Sequence, residues 1–470
     1  MPSRLTQRHA RAALMSSLLL AACATESPVS PEQAVQVRSI PQFVQSTERP
    51  DRYLVSFKSS EPGDFAAQVA ALGGKVERRL GDLQMAVVQG VGVAGATAIS
   101  RKSGIETVAQ DLTVNFVPTP DPSRFRVREA TAGLVRPPGT SQSGAFFFAD
   151  QWNMRQVKAD KAWAKSTGGR GALVCILDTG IDPDHIDLAG KVDPALFKSF
   201  ISAPIFLGDL DPYDYNFHGT ASAGYISTNG LGMASVAPDA RLCSAKVLNV
   251  LGNGSFADII AGIEWATAVN ADVINMSLGG TVDLTIPGAR DLVKLMQKAV
   301  LRANLKGSVV VASAGNDAVN MDKDPPNELI LPAQLVGVIS VGATAPFNQL
   351  NFDGLASYSN YGGVTGVDLM APGGDFVSGN PADFVLSTCS QYQLLLPFAC
   401  SALSYVGVAG TSESAPHVSG AAAVMRAQFP RLSFPLLVDI CLQRSADNIG
   451  NRKIFGSGRL NVLDAVGCKS

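Results

Sequence analysis

Three serines and a histidine crowd into "GTSESAPHVSG", residues 410–420, and the 470-residue chain holds four histidines in all: His9, His185, His218 and His417. A serine hydroxyl becomes a nucleophile only when a neighbouring base takes its proton. Imidazole, with an unperturbed pKa of about 6.5, suits that task near neutral pH. Ser412 and His417 are the tempting pair, but "SESAPHVSGAAAVMRAQF" reads as a helix with Ser412 at its N-terminus. Pro416 falls near the end of the first turn, where a missing N–H costs least. At about 100° per residue, His417 points about 140° away from Ser412, and Ser414 about 200° away. A base for Ser412 must therefore come from outside this helix.

The elements that would position such groups are legible. Residues 149–468 alternate short apolar runs with helical patterns. "ALVCIL", "RLCSAKVL", "ADVINM", "SVVVAS" and "VGVISVGA" read as buried parallel strands, and "FADIIAGIEWATAVN" and "ARDLVKLMQKAVLRANL" as helices between them. This alternation predicts an α/β fold with a doubly wound, mainly parallel sheet. In such sheets ligands bind outside the carboxyl ends of the strands, and the unusual polar residues fall there. "ALVCIL" runs into Asp178-Thr179-Gly180, "DVINM" into Ser277-Leu278-Gly279-Gly280, and "VVVAS" into Ala314-Gly315-Asn316, while His218 opens "HGTASAGYIS".

In that order and spacing, "ILDTGIDPDHIDL", "HGTASAG", "VVVASAGND" and "GTSESAPHVSG" resemble the subtilisin family of serine proteases, as do "INMSLGG", "SYSNYG" and "DLMAPGGD". By position, the resemblance implies that Asp178 orients the histidine, His218 is the general base, Ser412 is the nucleophile and Asn316 donates to the oxyanion. It also implies that Ser277, Leu278 and Gly279 form the strand that pairs with the substrate backbone. The order Asp, His, Ser is the subtilisin order. The expected activity is an endopeptidase acting on polypeptides, with no cofactor required for the chemistry. A catalytically silent binding module on the same fold is the alternative. A sedolisin-type carboxyl peptidase lacks the Asp-Thr-Gly and His-Gly-Thr pairing present here.

Three positions depart from the family pattern. Ala221 and Ser222 stand where the family has His-Val, a change expected to affect packing more than chemistry. Glu413 replaces a methionine beside the nucleophile, which removes an oxidisable thioether and places a carboxylate where it could tune a local pKa. The loop "STNGLGMASVAP" is shorter than the usual calcium loop. Asp187 matches one family calcium ligand, but the remaining ligands have no counterpart, so structural calcium is doubtful. His185 and His417 read as structural histidines.

Upstream, Arg4, Arg8 and Arg11 precede the apolar run of residues 13–23, the order of a secretory signal. Leu20-Ala21-Ala22-Cys23 resembles the lipobox of bacterial lipoproteins, which implies lipidation of Cys23, cleavage after residue 22 and, with Ala24 following, an outer-membrane location in the cell envelope. Residues 23–50 read as a tether. Residues 51–117 show a βαββαβ order, a small α+β ferredoxin-like unit that resembles the inhibitory pro-domain of the same family. His9 would leave with the signal. Residues 118–148, rich in Pro, Ser, Gly and Arg, read as an exposed linker carrying the processing site.

Seven cysteines less Cys23 leave six, in a compartment that permits disulfides. Cys389 and Cys400 flank a short loop and are the first choice for a bridge. Cys441 and Cys468 are plausible partners. For Cys175 and Cys243, in apolar strand-like runs, free buried thiols are at least as expected as a bridge. A net charge of −2 gives no reason to expect a nucleic-acid partner.

Overall fold

A computed structural model of the protein describes residues 51–117, 125–131, 133–134, 142–323, 327–429 and 434–468. The segments read from sequence as signal and tether, with Cys23, lie outside the described residues.

The N-terminal unit runs β1 (Arg52–Phe57), α1 (Phe65–Ala71), β2 (Lys75–Leu80), β3 (Met85–Gln89), α2 (Val93–Ser100) and β4 (Ile105–Gln110). Its four-stranded sheet has the order β2-β3-β1-β4, antiparallel throughout. The period-2 alternation of β1 explains its two faces. Tyr53, Val55 and Phe57 pack with Phe65, Val69, Ala96 and Ile99 of the unit's own helices. Leu54, together with Met85, Val87 and Ala109, joins a core shared with the larger domain. After it come β5 (Thr113–Asn115) and β6 (Arg126–Glu129).

The larger domain is built on β7 (Leu173–Asp178), β8 (Val192–Ser199), β9 (Arg241–Lys246), β10 (Asn253–Ser255), β11 (Val273–Met276), β12 (Gly280–Asp283), β13 (Val309–Ser313), β14 (Glu328–Leu331), β15 (Val338–Phe347), β16 (Leu350–Leu355), β17 (Leu369–Pro372), β18 (Val385–Thr388) and β19 (Ser404–Val408). Its main helices are α3 (His218–Ile226), α4 (Phe256–Ala268), α5 (Ala289–Lys306) and α6 (Thr411–Gln428). The eight-stranded sheet has the order β16-β15-β13-β11-β7-β9-β8, with β17 also on β15. Every pairing is parallel except β15 with β16. The strand runs read from sequence are these parallel strands.

Because the sheet is covered on both faces, its strands are apolar on both sides. Leu173, Cys175 and Leu177 of β7 face the core built with α4 and α5, while Val174 and Ile176 face the core built with α3 and α6. Small residues let α6 pass through that second core; a Cβ added to Gly420 would stand 2.7 Å from Val236 Cβ.

One sequence expectation is corrected and one left open is resolved. Within the stretch read as exposed linker, Arg126–Glu129 forms an edge strand, antiparallel to β19 with Arg126 opposite Gly407 and Glu129 opposite Ser404. Its arginines masked it: Val127 packs on the core, while Arg128 lies 4.4 Å from the Phe147 ring and pairs with Asp150. Charged side chains are a usual feature of edge strands. Cys175 and Cys243 are joined as a disulfide rather than free, because the β7–β9 register sets them directly opposite with Cα atoms 4.5 Å apart. Cys389–Cys400 and Cys441–Cys468 are also bridged.

Candidate active site

Asp178 closes β7, fully buried. Its Oδ1 accepts the Thr179 N–H at 2.7 Å and pairs with His218 Nδ1 at 2.7 Å, and its Oδ2 accepts the Ser222 hydroxyl at 3.3 Å. The carboxylate thereby fixes the Nδ1–H tautomer and leaves Nε2 as the basic nitrogen. Ser222, at a position expected to affect packing more than chemistry, is thus a direct partner of this aspartate. Burial alone would lower the His218 pKa, but the Asp178 charge and hydrogen bond, with Glu413 and Asp214 behind them, raise it to about 9.

His218 is the first residue of α3, and its helix begins from Phe217 in a left-handed conformation (φ 103°). A non-glycine residue there needs support, and Asp214 supplies it. Its Oδ1 accepts the N–H groups of Asn216 and Phe217 at 3.0 and 2.9 Å, and the Thr179 hydroxyl at 2.8 Å. Its Oδ2 accepts Thr220 N–H and Oγ1 at 2.8 and 2.6 Å. Thr179 Oγ1 in turn accepts the Gly219 N–H at 3.0 Å. A Cβ on Gly219 would overlap the Gly180 carbonyl oxygen, so only glycine lets α3 close on the exit of β7. Asp214 was not singled out from sequence; an acidic residue just ahead of a helix that opens on histidine was its one signal.

Ser412 is the second residue of α6, partly exposed, and its Oγ donates to the Ser277 carbonyl at 3.0 Å. Asn316 is exposed; its Oδ1 accepts Thr411 N–H and Oγ1 at 2.9 and 2.8 Å, which fixes Nδ2 as the outward donor. Ser277 and Leu278 are buried just after β11, and Gly279 leads into β12. Ser412 and Asn316 are therefore joined through Thr411, and Ser412 and Ser277 directly.

The other candidates of the motif face inward, as helix geometry required. Ser414 donates to the Ala371 carbonyl at 3.0 Å. His417 Nδ1 meets the Glu413 carbonyl at 2.7 Å and Nε2 meets Asn153 Nδ2 at 2.9 Å. Burial lowers its pKa to about 4. His185 is buried, with Nε2 3.0 Å from the Ser404 carbonyl.

The N-terminal unit reaches this site. Strand β5 pairs antiparallel with β10, Val114 opposite Gly254. A Cβ on Gly280, next to the Ser277–Gly279 segment, would stand 2.7 Å from Val114 Cγ1 and 3.3 Å from Phe116 Cδ1. Residues 118–124 lie outside the described residues. Phe125 meets the ring of Phe217, the residue before His218, at 5.3 Å.

Comparison with known proteins decides the family. The model of the Subtilase family (peptidase S8) matches residues 169–458. Subtilisin DY of Bacillus licheniformis is 35% identical over 312 residues, covering 66% of this chain and 96% of its own. The chain belongs to the subtilase family. This subtilase is a serine endopeptidase, with the α/β fold expected. A solved structure of proteases from Pseudoalteromonas arctica PAMC 21717 is 30% identical, with a TM-score of 0.57 over 70% of this chain and 99% of that one. The epidermin leader peptide processing serine protease of Staphylococcus aureus, 22% identical, shares the fold with a TM-score of 0.70 over 88% of this chain and 97% of its own.

The calcium ligand that the family resemblance suggested is differently employed in this subtilase. Asp187 Oδ1 accepts Leu231 N–H at 2.7 Å, and Oδ2 accepts Gly232 and Met233 N–H at 2.9 Å each and Tyr405 O–H at 2.8 Å. All its partners are donors, a set that suits a bare carboxylate. A cation needs oxygen lone pairs and would have to displace them. The residues do not fit calcium here.

Proposed function

We propose that the subtilase hydrolyses peptide bonds through Asp178, His218 and Ser412, and that it is made as a self-processing, membrane-anchored zymogen. The observation that carries the catalytic reading is the 2.7 Å Asp178–His218 bond at one strand end, with Ser412 and Asn316 linked through Thr411 at the neighbouring ends. On substrate binding Ser412 Oγ exchanges its bond to Ser277 for one to His218 Nε2. His218 takes the hydroxyl proton as Oγ attacks the scissile carbonyl carbon. The resulting oxyanion is held by Asn316 Nδ2 and the Ser412 N–H, and Asp178 stabilises the imidazolium. His218 then protonates the leaving amine, and the acyl-enzyme is hydrolysed by water activated in the same way. Ser277, Leu278 and Gly279 would pair with the substrate backbone by strand addition.

The zymogen reading is supported by the docking of residues 51–117 as the pro-domain. Asp111 Oδ1 accepts the Ala257 N–H at the start of α4 at 2.9 Å, Glu264 accepts the Asp82 N–H at 3.0 Å, and β5 occupies β10 beside Gly280. First cleavage falls within the 118–148 segment and is intramolecular. The pro-domain then acts as the enzyme's own inhibitor. Cys23 carries the lipid anchor at the outer membrane; among the described residues no helix is long and apolar enough to cross a membrane.

Maturation tests the reading. Ser412→Ala accumulates the precursor with its pro-segment bound, whereas Ser414→Ala matures at a rate independent of protein concentration. A Ser412→Ala protein that matures overturns the assignment of the nucleophile.

A further inference from the structure

Glu413 follows the nucleophile directly, yet its side chain is only 5% exposed. A Cβ placed on Gly410 would lie 2.5 Å from Glu413 Oε2 and 3.5 Å from Asn316 Nδ2, so the carboxyl and the oxyanion amide flank the same glycine. Its backbone carbonyl is taken by His417 Nδ1. We propose that Glu413 is a positioning residue of the peptidase centre, whose buried carboxyl, beside the Asn316 amide and next in the chain to Ser412, sets the pH range over which His218 is a free base.

The groups that face it come from every element packed against it. From α3 these are His218 and Tyr225; from β7, Asp178; from the segment after β16, Tyr358 with Asp375 behind it; and from α6 itself, His417. Burial raises both tyrosines well above 10 and lowers His417 to about 4, so these stay neutral at working pH. Asp178, His218, Glu413 and, behind Tyr358, Asp375 remain as the charge-bearing set. Burial raises Glu413 to about 7, with His218 pulling down and Asp178 pushing up. Once ionised, Glu413 stabilises the imidazolium and opposes its deprotonation. The same negative charge beside Asn316 disfavours the oxyanion. Protonated, the carboxyl does neither. The N-terminal position in α6 favours the ionised form, which keeps both states within reach.

This inference rests on the Ser412–His218 assignment, and its test separates the two. Glu413→Gln keeps shape and removes charge; Glu413→Asp keeps charge. In peptide hydrolysis by the mature enzyme, the acid limb of kcat/KM in Glu413→Gln should move about one unit to lower pH. Between about pH 7, where Glu413 ionises, and the limb, that is about a tenfold gain in kcat/KM, and the gain fades at lower pH where the wild-type carboxyl is itself protonated. Glu413→Asp should hold the wild-type limb to within about 0.3 unit. The imidazole N–H resonance of His218, titrated in full-length Ser412→Ala protein with and without Glu413→Gln, should show the same displacement without relying on activity. A limb and a resonance unmoved by Glu413→Gln, or moved equally by the aspartate, overturn the inference and leave the peptidase reading intact. A wild-type enzyme that hydrolyses no peptide and reacts with no serine-directed probe overturns that reading instead.

Discussion

Replacing Arg52 by methionine removes a guanidinium that is only 2% exposed and binds three carboxylates. It grips Glu77 with Nε and Nη2 at 3.0 and 2.9 Å, pairs with Asp111 through Nη1, donates to Ser255 Oγ at 2.9 Å and reaches Asp258 at 3.1 Å. Glu77 and Asp111 belong to the N-terminal unit and Asp258 to α4, so this one side chain spans the contact. Without it, Asp111 loses its cation and faces the like charge of Asp258, which keeps Arg78 at 3.5 Å. Breaking a buried ion pair from one side costs about 3–5 kcal/mol. Converted at 1.4 kcal/mol per tenfold, local opening of the contact becomes about 10² to 4 × 10³ times more frequent. Hydrogen exchange on the full-length Ser412→Ala precursor reads this directly at Phe256 and Ala257, whose N–H groups bond to Leu112 and Asp111. The effect should persist in 1 M salt, since buried pairs are weakly screened. Adding Asp258→Asn should restore part of the protection by removing that like charge. Exchange within about threefold of the parent, or an Asp258→Asn effect that merely adds, would refute the reasoning.

Cys23→Ser should move the protein from the membrane fraction to the soluble one, or leave the signal uncleaved; a freely soluble wild type with residues before Cys23 intact contradicts the anchor. Because Asp187 is satisfied by N–H and O–H donors, a chelator should change the melting temperature by less than about 2 °C. A drop of about 10 °C that Asp187→Asn abolishes would show an ion held there. Burial lowers the His417 pKa to about 4 in the fold, against the ordinary 6.5 of an unburied histidine. A depressed histidine pKa contributes stability that is fully present above 6.5 and is lost as pH falls through 4, here about 3 kcal/mol. Urea midpoints of Ser412→Ala protein at pH 7 and 4 should show that loss, and His417→Gln should lessen it.

The parallel strands and the βαββαβ unit were legible because each is written in local periodicity and bounded by turn residues. The orientation of Ser414 and His417 was legible because a helix fixes angles over a few residues. What stayed hidden depends on register between distant segments. Cys175 meets Cys243 only because β9 inserts between β7 and β8. Strand β6 finds its partner in β19, Val127 opposite Val406. Asp214 gains its meaning from Thr179 and Thr220, which lie on two other elements, and Ser222 from Asp178 across the α3–β7 contact. A buried Arg52 reads in sequence as an ordinary surface charge before a strand; three carboxylates from separate elements make it something else.

The most direct test of the catalytic account is the site of covalent labelling by a fluorophosphonate. The mature wild-type enzyme should carry the phosphonyl group on Ser412, identified by mass spectrometry of the α6 peptide. Ser414→Ala should label normally, Ser412→Ala not at all, and His218→Ala about 10³-fold or more slowly. Label on Ser414, or a labelling rate indifferent to His218, would contradict the account.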